Sequence, residues 1–279
     1  MHIPEFLTKL GDDSAEIRTW LSALPFIVEE KKEKWNLHMG EPFTENATCS
    51  YVVPCIVDGR KKAVLKIGIP HPEALHEIEG LKLLNGVPTI RLLDFDKETN
   101  AMLLEQCIPG TQLKAEPEPD QDEVICALLP EIWKANYGEE EFRPLASMIS
   151  LWNNEALGKL DRYPDPGLTR AGCQLKEELI QSTEKHVLLA TDLHAGNVLQ
   201  GQRKPWLAID IKPYVGDPTY DLTQHLLNCT ERLAANPKGT IDRVADLAGV
   251  SRSRLKEWMF ARLASENEGV HQVIAAKLD

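Results

Sequence analysis

Three polar residues in one short stretch, Asp192, Asn197 and Asp210, could do chemistry together because of their types and their order. Two apolar runs, 198–200 and 206–209, flank a loop holding Gly201 and Pro205, which is the pattern of a β-hairpin. Antiparallel pairing about that loop brings position 197 opposite 209 or 210, so Asn197 and Asp210 are expected to meet at its open end. An amide oxygen beside a carboxylate is a hard-oxygen pair suited to Mg²⁺, which commonly takes one or two carboxylates and completes its shell with water and phosphate. Asp192 lies in the loop that enters the hairpin and can reach the same cavity without being a ligand. A loop Asp, then an Asn, then a strand-end Asp is what phosphoryl transfer requires: one carboxylate orients the attacking hydroxyl and accepts its proton, while the other two groups hold metal on the nucleotide. Singly, each has an ordinary explanation, since an Asp before an apolar strand caps a turn and an Asn beside a Gly sits in one. The ordered set, with a hairpin between its members, is what favours the metal reading.

A phosphoryl donor also needs a cation, and the first part of the chain offers Lys66 inside the apolar run Ala63 to Ile67. An ammonium buried there without a counter-charge would be costly, so a partner is expected. The following helix supplies Glu77 and Glu79, and a strand lysine paired with a helix glutamate is the clamp kinases use on phosphates. The plainer alternative is a strand-end lysine that snorkels to solvent.

The elements that must position these residues change in texture near residue 107. Before it, β-type runs cover Tyr51 to Val57, Ala63 to Gly68 and Ala101 to Glu105, with Asp58-Gly59 turning the chain between the first two. One helix, Pro72 to Leu84, interrupts them, with apolar Leu75, Ile78 and Leu81 in step and Asn85-Gly86 ending it. After Gln106 to Gly110 the pattern becomes helical, from about Asp120 to Lys134, Leu145 to Leu160 and Gln174 to Lys185, around a compact β insertion at His186 to Lys212. Trp133, Trp152 and Trp258 fall on apolar helical faces and read as core.

A chain of 279 residues, 43% hydrophobic and 27% charged, is large enough for a buried cleft, and its composition excludes disordered, collagen-like and coiled-coil architectures. The net charge of −12 disfavours nucleic acid and weakly favours cationic ligands. No apolar run is long enough to cross a bilayer and the start lacks a secretory pattern, so a cytoplasmic protein without membrane association is expected. Six dispersed cysteines give neither a disulfide framework nor a zinc pattern. The carboxylate-rich region 116–141 reads first as solvated surface and second as an attractor for a cationic acceptor. The oligomeric state has no sequence signal.

The segment Leu188 to Asn228, together with Val64-Leu65-Lys66 and Leu103-Leu104-Glu105, resembles the aminoglycoside/hydroxyurea antibiotic resistance kinase family, within the larger aminoglycoside phosphotransferase and choline kinase-like group. Its most specific stretches are Trp206 to Pro213 and Val215 to Leu222. The resemblance implies an α+β, protein kinase-like bilobal fold, with a small β-rich N-lobe (1–106) and a larger helical C-lobe (107–279) that carries the catalytic loop and metal site. It implies an ATP- and Mg²⁺-dependent kinase acting on a small-molecule hydroxyl, with Asp192 as catalytic base and Asn197 and Asp210 as Mg²⁺ ligands. Lys66 would contact the α- and β-phosphates with Glu77 as its partner, and backbone around Glu105 to Cys107 would hold adenine. Asp217 and Asp221 match motif positions too, but the local sequence favours a turn role for Asp217 before Pro218 and a cap role for Asp221 on a helix beginning at Leu222.

The chain departs from the wider group in two places. A histidine is common there two residues before the catalytic Asp, where this chain has Ala190, so Asp192 must be oriented by something else. The phosphate-covering loop, Glu45 to Ser50, has no glycine, which leaves backbone N–H groups and the hydroxyls of Thr48 and Ser50 as phosphate contacts. Two readings compete with the kinase: a catalytically weak nucleotide-binding module, and a DNA-binding protein using the helix-turn-helix-like segment 241–258. The intact Asp192, Asn197, Asp210 and Lys66 set opposes the first, and the acidic charge opposes the second. His194, lone and without a ligand-spaced partner, is expected to support the loop through backbone hydrogen bonds.

Overall fold

The first part of the chain alternates buried and open positions in short runs, and these form one antiparallel sheet. A computed structural model describes residues 2–12, 14–44, 49–71, 76–138, 141–266 and 269–278. Strands β1 (Leu37–Met39), β2 (Ser50–Val57), β3 (Lys61–Gly68), β4 (Leu92–Asp96) and β5 (Ala101–Glu105) lie in the order β1-β2-β3-β5-β4. The β2–β3 turn uses left-handed backbone at both Asp58 (φ 50°) and Gly59 (φ 67°), residue types that tolerate it. Register puts Lys66 opposite Val52 on one side and Met102 on the other, so the lysine is held in the middle of the sheet.

Two helices precede the sheet, α1 (Glu5–Asp12) and α2 (Ala15–Lys34), which the β-type texture of the early sequence did not announce. Ser14 caps α2 by accepting from the Ile17 N–H at 3.3 Å, and Trp20, Leu24 and Val28 recur along its buried face. That face ends in Lys31, wholly buried, whose Nζ lies 2.7 Å from Asp96 at the end of β4. Hydrogen bonds from Lys31 and Lys34 hold the Asp96 carboxyl well below the usual carboxylate range. Helix α3 (Glu77–Leu84) begins later than the sequence pattern suggests; Pro72 and Leu75 lie outside the described residues.

The later helices are α4 (Glu118–Trp133), α5 (Leu145–Gly158), α6 (Pro166–Gln181), α7 (Pro218–Leu227), α8 (Thr230–Ala235), α9 (Pro237–Ala248), α10 (Arg252–Ser265) and α11 (Gly269–Ala275). Strand β6 (Val187–Leu189) pairs with β9 (Tyr214–Gly216), and β7 (Val198–Gln200) with β8 (Trp206–Ala208), which is the hairpin the sequence predicts. Helix α10 packs against α6, α7, α9 and α11, and wholly buried Trp258 meets Tyr220 edge to face at 5.1 Å. The helix-turn-helix shape is present, with Gly249 left-handed at the end of α9 and Ser251 capping α10. Its second helix is nonetheless a core element: Leu255, Trp258 and Met259 are fully buried, and the Arg254 guanidinium is committed to Asp217 at 2.6 Å.

The chain divides into two units, Met1–Thr111 with Leu199–Ile209, and Gln112–Val198 with Asp210–Asp279. The first break in this grouping falls after Thr111, five residues past the sequence-expected 106/107. The hairpin segment 199–209, assigned from sequence to the second part, groups with the first because the Ile90 N–H donates to Ala208 and the Ala208 N–H to Pro88. Among the described residues no helix is long and apolar enough to cross a membrane. All six cysteines are free thiols, five of them buried.

Candidate active site

In the second unit, the loop after β6 is built from the backbone outward. Thr191 takes a left-handed conformation (φ 51°), uncommon for a β-branched residue, and two hydrogen bonds secure it. Its hydroxyl donates to the Lys212 carbonyl at 2.6 Å, and the Lys212 N–H donates to the Ala190 carbonyl at 2.9 Å. The next residue, Asp192, is half-buried, and its Oδ2 lies 2.6 Å from the Lys212 ammonium. The sequence reading passed over Lys212, because its partner lies twenty residues away in another loop.

Asp221 holds this loop from beneath. It is completely buried and accepts from the Ala190 N–H at 2.9 Å, the Thr191 N–H at 2.6 Å and the Trp133 indole at 3.0 Å. Burial pushes its carboxyl up to about 6, against the pull of those three donors. The cap role expected of Asp221 is therefore corrected. Helix α7 starts at Pro218, Asp217 is its cap through the Thr219 N–H at 2.9 Å, and Asp221 sits one turn inside on the buried face. Asp217 has a second task, accepting from Trp258 at 2.8 Å and from Arg254, which ties α7 to α10.

Asn197 closes a short 3₁₀ turn, Ala195–Asn197. Its Nδ2 donates to the Asp192 carbonyl at 3.0 Å, which turns the amide oxygen of the planar group the other way, as a metal acceptor requires. Asp210 is the first residue after 199–209 and is also left-handed (φ 53°). Among the described residues no three His, Cys, Asp or Glu side chains gather into a self-sufficient metal site. An amide oxygen and a carboxylate that leave the rest of the shell to water and phosphate are a donor set that fits Mg²⁺. His194 plays the supporting part expected: its Nδ1 accepts from the Gly196 N–H at 3.1 Å, and burial lowers its pKa, against the pull of the nearby Asp192 and Asp210 charges.

In the first unit, Lys66 meets both oxygens of Glu77 at 2.7 Å, and both residues are buried. The choice between two glutamates is settled for Glu77, since Glu79 pairs with Lys97 at 2.5 Å. Ser50 opens β2 opposite Gly68; Thr48 lies outside the described residues. The Glu105 side chain is taken up structurally. Arg203, in the β7–β8 loop, lies 2.9 Å from its Oε2 and also donates to the carbonyls of Gly86 and Thr89, at 2.7 and 2.9 Å. Burial alone would raise the Glu105 carboxyl, but Arg203 and the Arg91 N–H outweigh it and the pKa falls. Cys107 is buried, and that burial pushes its thiol up to about 11, so it stays protonated and unreactive at pH 7.

The acidic run is less solvated than expected. Asp122 is fully buried beneath the Arg232 guanidinium (2.6 Å), Arg243 (3.1 Å) and His225 (2.8 Å), while Arg232 also reaches Glu118 and Arg243 reaches Glu123. These carboxylates anchor α4 to α8 and α9, and the run offers correspondingly less negative charge to a ligand.

The family described as aminoglycoside/hydroxyurea antibiotic resistance kinase matches residues 34–268. A streptomycin 6-kinase from Streptomyces griseus is 30% identical over 94% of this chain and 89% of its own, and a hydroxyurea phosphotransferase from Kitasatospora aureofaciens is 31% identical over 88% and 73%. Among solved structures, the choline kinase LicA from Streptococcus pneumoniae superposes with a TM-score of 0.65 at 17% identity, covering 91% of each chain. A spectinomycin phosphotransferase solved with ADP and spectinomycin gives 0.57 at 16%, covering 86% of this chain and 85% of its own. The likeness bears out the α+β kinase fold read from the sequence. With most of its length matched and its loop residues in the order that phosphoryl transfer requires, the chain belongs to the aminoglycoside/hydroxyurea antibiotic resistance kinase family and is a small-molecule kinase.

Proposed function

We propose that this kinase moves the γ-phosphoryl group of ATP to a hydroxyl of a small, cationic or polar acceptor, with Asp192 as the catalytic base. The carrying observation is the catalytic loop: a half-exposed carboxylate on a backbone pinned by Asp221, next to an asparagine fixed to that same backbone. In this reading Asp192 accepts the acceptor's proton as its oxygen bonds to the γ-phosphorus. The bond from the γ-phosphorus to the β–γ bridging oxygen breaks, and ADP leaves with that electron pair. Asn197 and Asp210 would hold Mg²⁺, whose contribution is to neutralise phosphate charge. Lys66, steadied by Glu77, would contact the α- and β-phosphates, Thr48 and Ser50 would line the phosphate loop, and backbone from Glu105 to Cys107 would hold adenine. The Glu105 side chain serves to fix that strand through Arg203.

Streptomycin and hydroxyurea are the first acceptors to test, because curated relatives carry those substrates in their names. A cytoplasmic setting, where ATP is available, suits this chemistry. The nucleotide-binding-module reading gains no support, since the Lys66–Glu77 and Asn197–Asp192 contacts are both formed. Against the DNA-binding reading stands the commitment of Arg254 on its second helix to Asp217.

The test is an ADP-release screen over aminoglycosides, hydroxyurea, sugars and amino alcohols, with acceptor-free ATPase as background. Asp192→Asn is expected to lower turnover at least about a hundredfold, within the range for removing a general base, with nucleotide binding kept. Unchanged turnover would remove Asp192 from the role of base.

A further inference from the structure

We propose that Lys212 is a positioning residue: it fixes one oxygen of Asp192 so that the other meets the acceptor hydroxyl. The inference rests on the kinase reading above and concerns how its base is aimed. An aspartate side chain turns freely about its terminal bond unless something holds it, and a base that samples several directions spends little time aligned for proton transfer. Residue 190, where a supporting side chain could stand, is alanine and wholly buried. The Lys212 ammonium, 2.6 Å from Asp192 Oδ2, supplies the support from the connection between β8 and β9. In this reading the other oxygen, Oδ1, is the one that meets the acceptor.

The lysine is well placed for this because its own backbone is fixed. Its N–H is bonded to Ala190 and its carbonyl to Thr191, the two residues before Asp192, so both ends of the Lys212–Asp192 contact are built on one clamp. Pro213 follows and restricts Lys212 to extended backbone. The side-chain exposures of 27% and 20% keep the pair partly out of water without sealing it from substrate. An ion pair at an open surface would contribute little, whereas one launched from a rigid base gives direction. Its position two residues past Asp210 also means that one short segment, 210–212, provides a metal-ligand candidate and the support for the base.

The experiment uses the full-length protein with ATP, Mg²⁺ and whichever acceptor scores in the screen, beginning with streptomycin and hydroxyurea. Lys212→Met is expected to lower kcat about 10- to 100-fold with the acceptor KM and the nucleotide Kd within about threefold of the parent, the signature of lost alignment. Lys212→Arg should recover part of the rate, and added small alkylamines should partly restore Lys212→Ala. The double variant Asp192→Asn with Lys212→Met should be no slower than Asp192→Asn alone, because the lysine acts through that carboxylate. A kcat within twofold of the parent, additive losses in the double variant, or a loss accompanied by a collapsed thermal midpoint and no amine rescue would overturn the proposal. If Asp192→Asn itself leaves turnover intact, the kinase assignment of that residue fails first, and the two failures are distinguishable.

Discussion

The two units bury charge in opposite ways. The first buries lysines against carboxylates across the sheet and its helices: Lys31 with Asp96, Lys66 with Glu77. The second buries carboxylates, and gives them neutral or arginine donors: Asp221 takes two backbone N–H groups and an indole, Asp217 an indole and an arginine, Asp122 two arginines and a histidine. A side-chain ion pair fixes the position of a charge and can be exchanged as a unit. A carboxylate bonded to backbone fixes the path of the chain, and no single exchange preserves it. In the proposed function, the first unit would thus place a cation for the nucleotide, while the second shapes the loop that carries Asp192.

The sharpest way to break this contrast is Asp221→Ala, which strands three buried donors. A loss of about 3–5 kcal/mol in denaturant-measured stability is expected, with turnover falling alongside. A loss under about 1 kcal/mol would show that the loop does not depend on it. Lys66→Met comes next. It leaves the buried Glu77 carboxylate without its lysine and should cost roughly 3 kcal/mol in nucleotide-free protein, while Lys66→Met with Glu77→Leu should regain most of that stability. Nucleotide affinity should be lost in both; stability that does not return in the double variant would contradict the exchangeable-pair view.

A smaller effect tests electrostatics at the edge of the second core. Burial would raise the Glu266 carboxyl, but Arg262, His271 and Lys176 outweigh it and bring it down to about 2. Its folded pKa lies below the unfolded value, so its stabilisation is present above the unfolded carboxylate range and is lost as pH falls toward 2. Glu266→Gln should therefore cost roughly 2 kcal/mol at pH 7, with the gap to the parent closing between about pH 4.5 and pH 2 in a pH series of unfolding curves. The smallest effect is expected of Lys31→Met, about 1 kcal/mol, because Asp96 retains Lys34 at 3.0 Å. A loss as large as that of Lys66→Met would mean that Lys34 does not hold Asp96 in place of Lys31.

The candidate site residues carry local signals. Asn197 and Asp210 flank one hairpin with Asp192 in the loop before it, and Lys66 interrupts an apolar run that called for a partner, which the structure supplies in Glu77. The supporting residues do not, because their partners are far away in sequence. Nothing around Asp221 announces the N–H groups of residues 190 and 191, and nothing around Arg203 announces Glu105. In α2, Lys31 continues the line of Trp20, Leu24 and Val28 on the buried face, and its partner Asp96 lies 65 residues away. Strands β2, β3 and β5, the β7–β8 hairpin and most later helices were legible from periodicity, while the short β1 and β9 and the half-buried β4 were not; Asp221 was misread because a cap and a buried anchor share the same residue type. The glycine-free loop at Glu45 to Thr48 lies outside the described residues.

The passage of residues 199–209 into the first unit has a consequence for how the protein is made. Arg203 and Ala208 complete contacts to Glu105, Gly86, Thr89 and Ile90 that a nascent chain of the first 111 residues lacks. Domains usually fold in order as they leave the ribosome. Here the segment that supplies these contacts follows nearly a hundred residues later, so the earlier unit's set of contacts is complete only once residues 199–209 have been synthesised. The metal-ligand candidates Asn197 and Asp210 flank that segment, so the last piece of the first unit and the candidate ligands are made in the same stretch of translation.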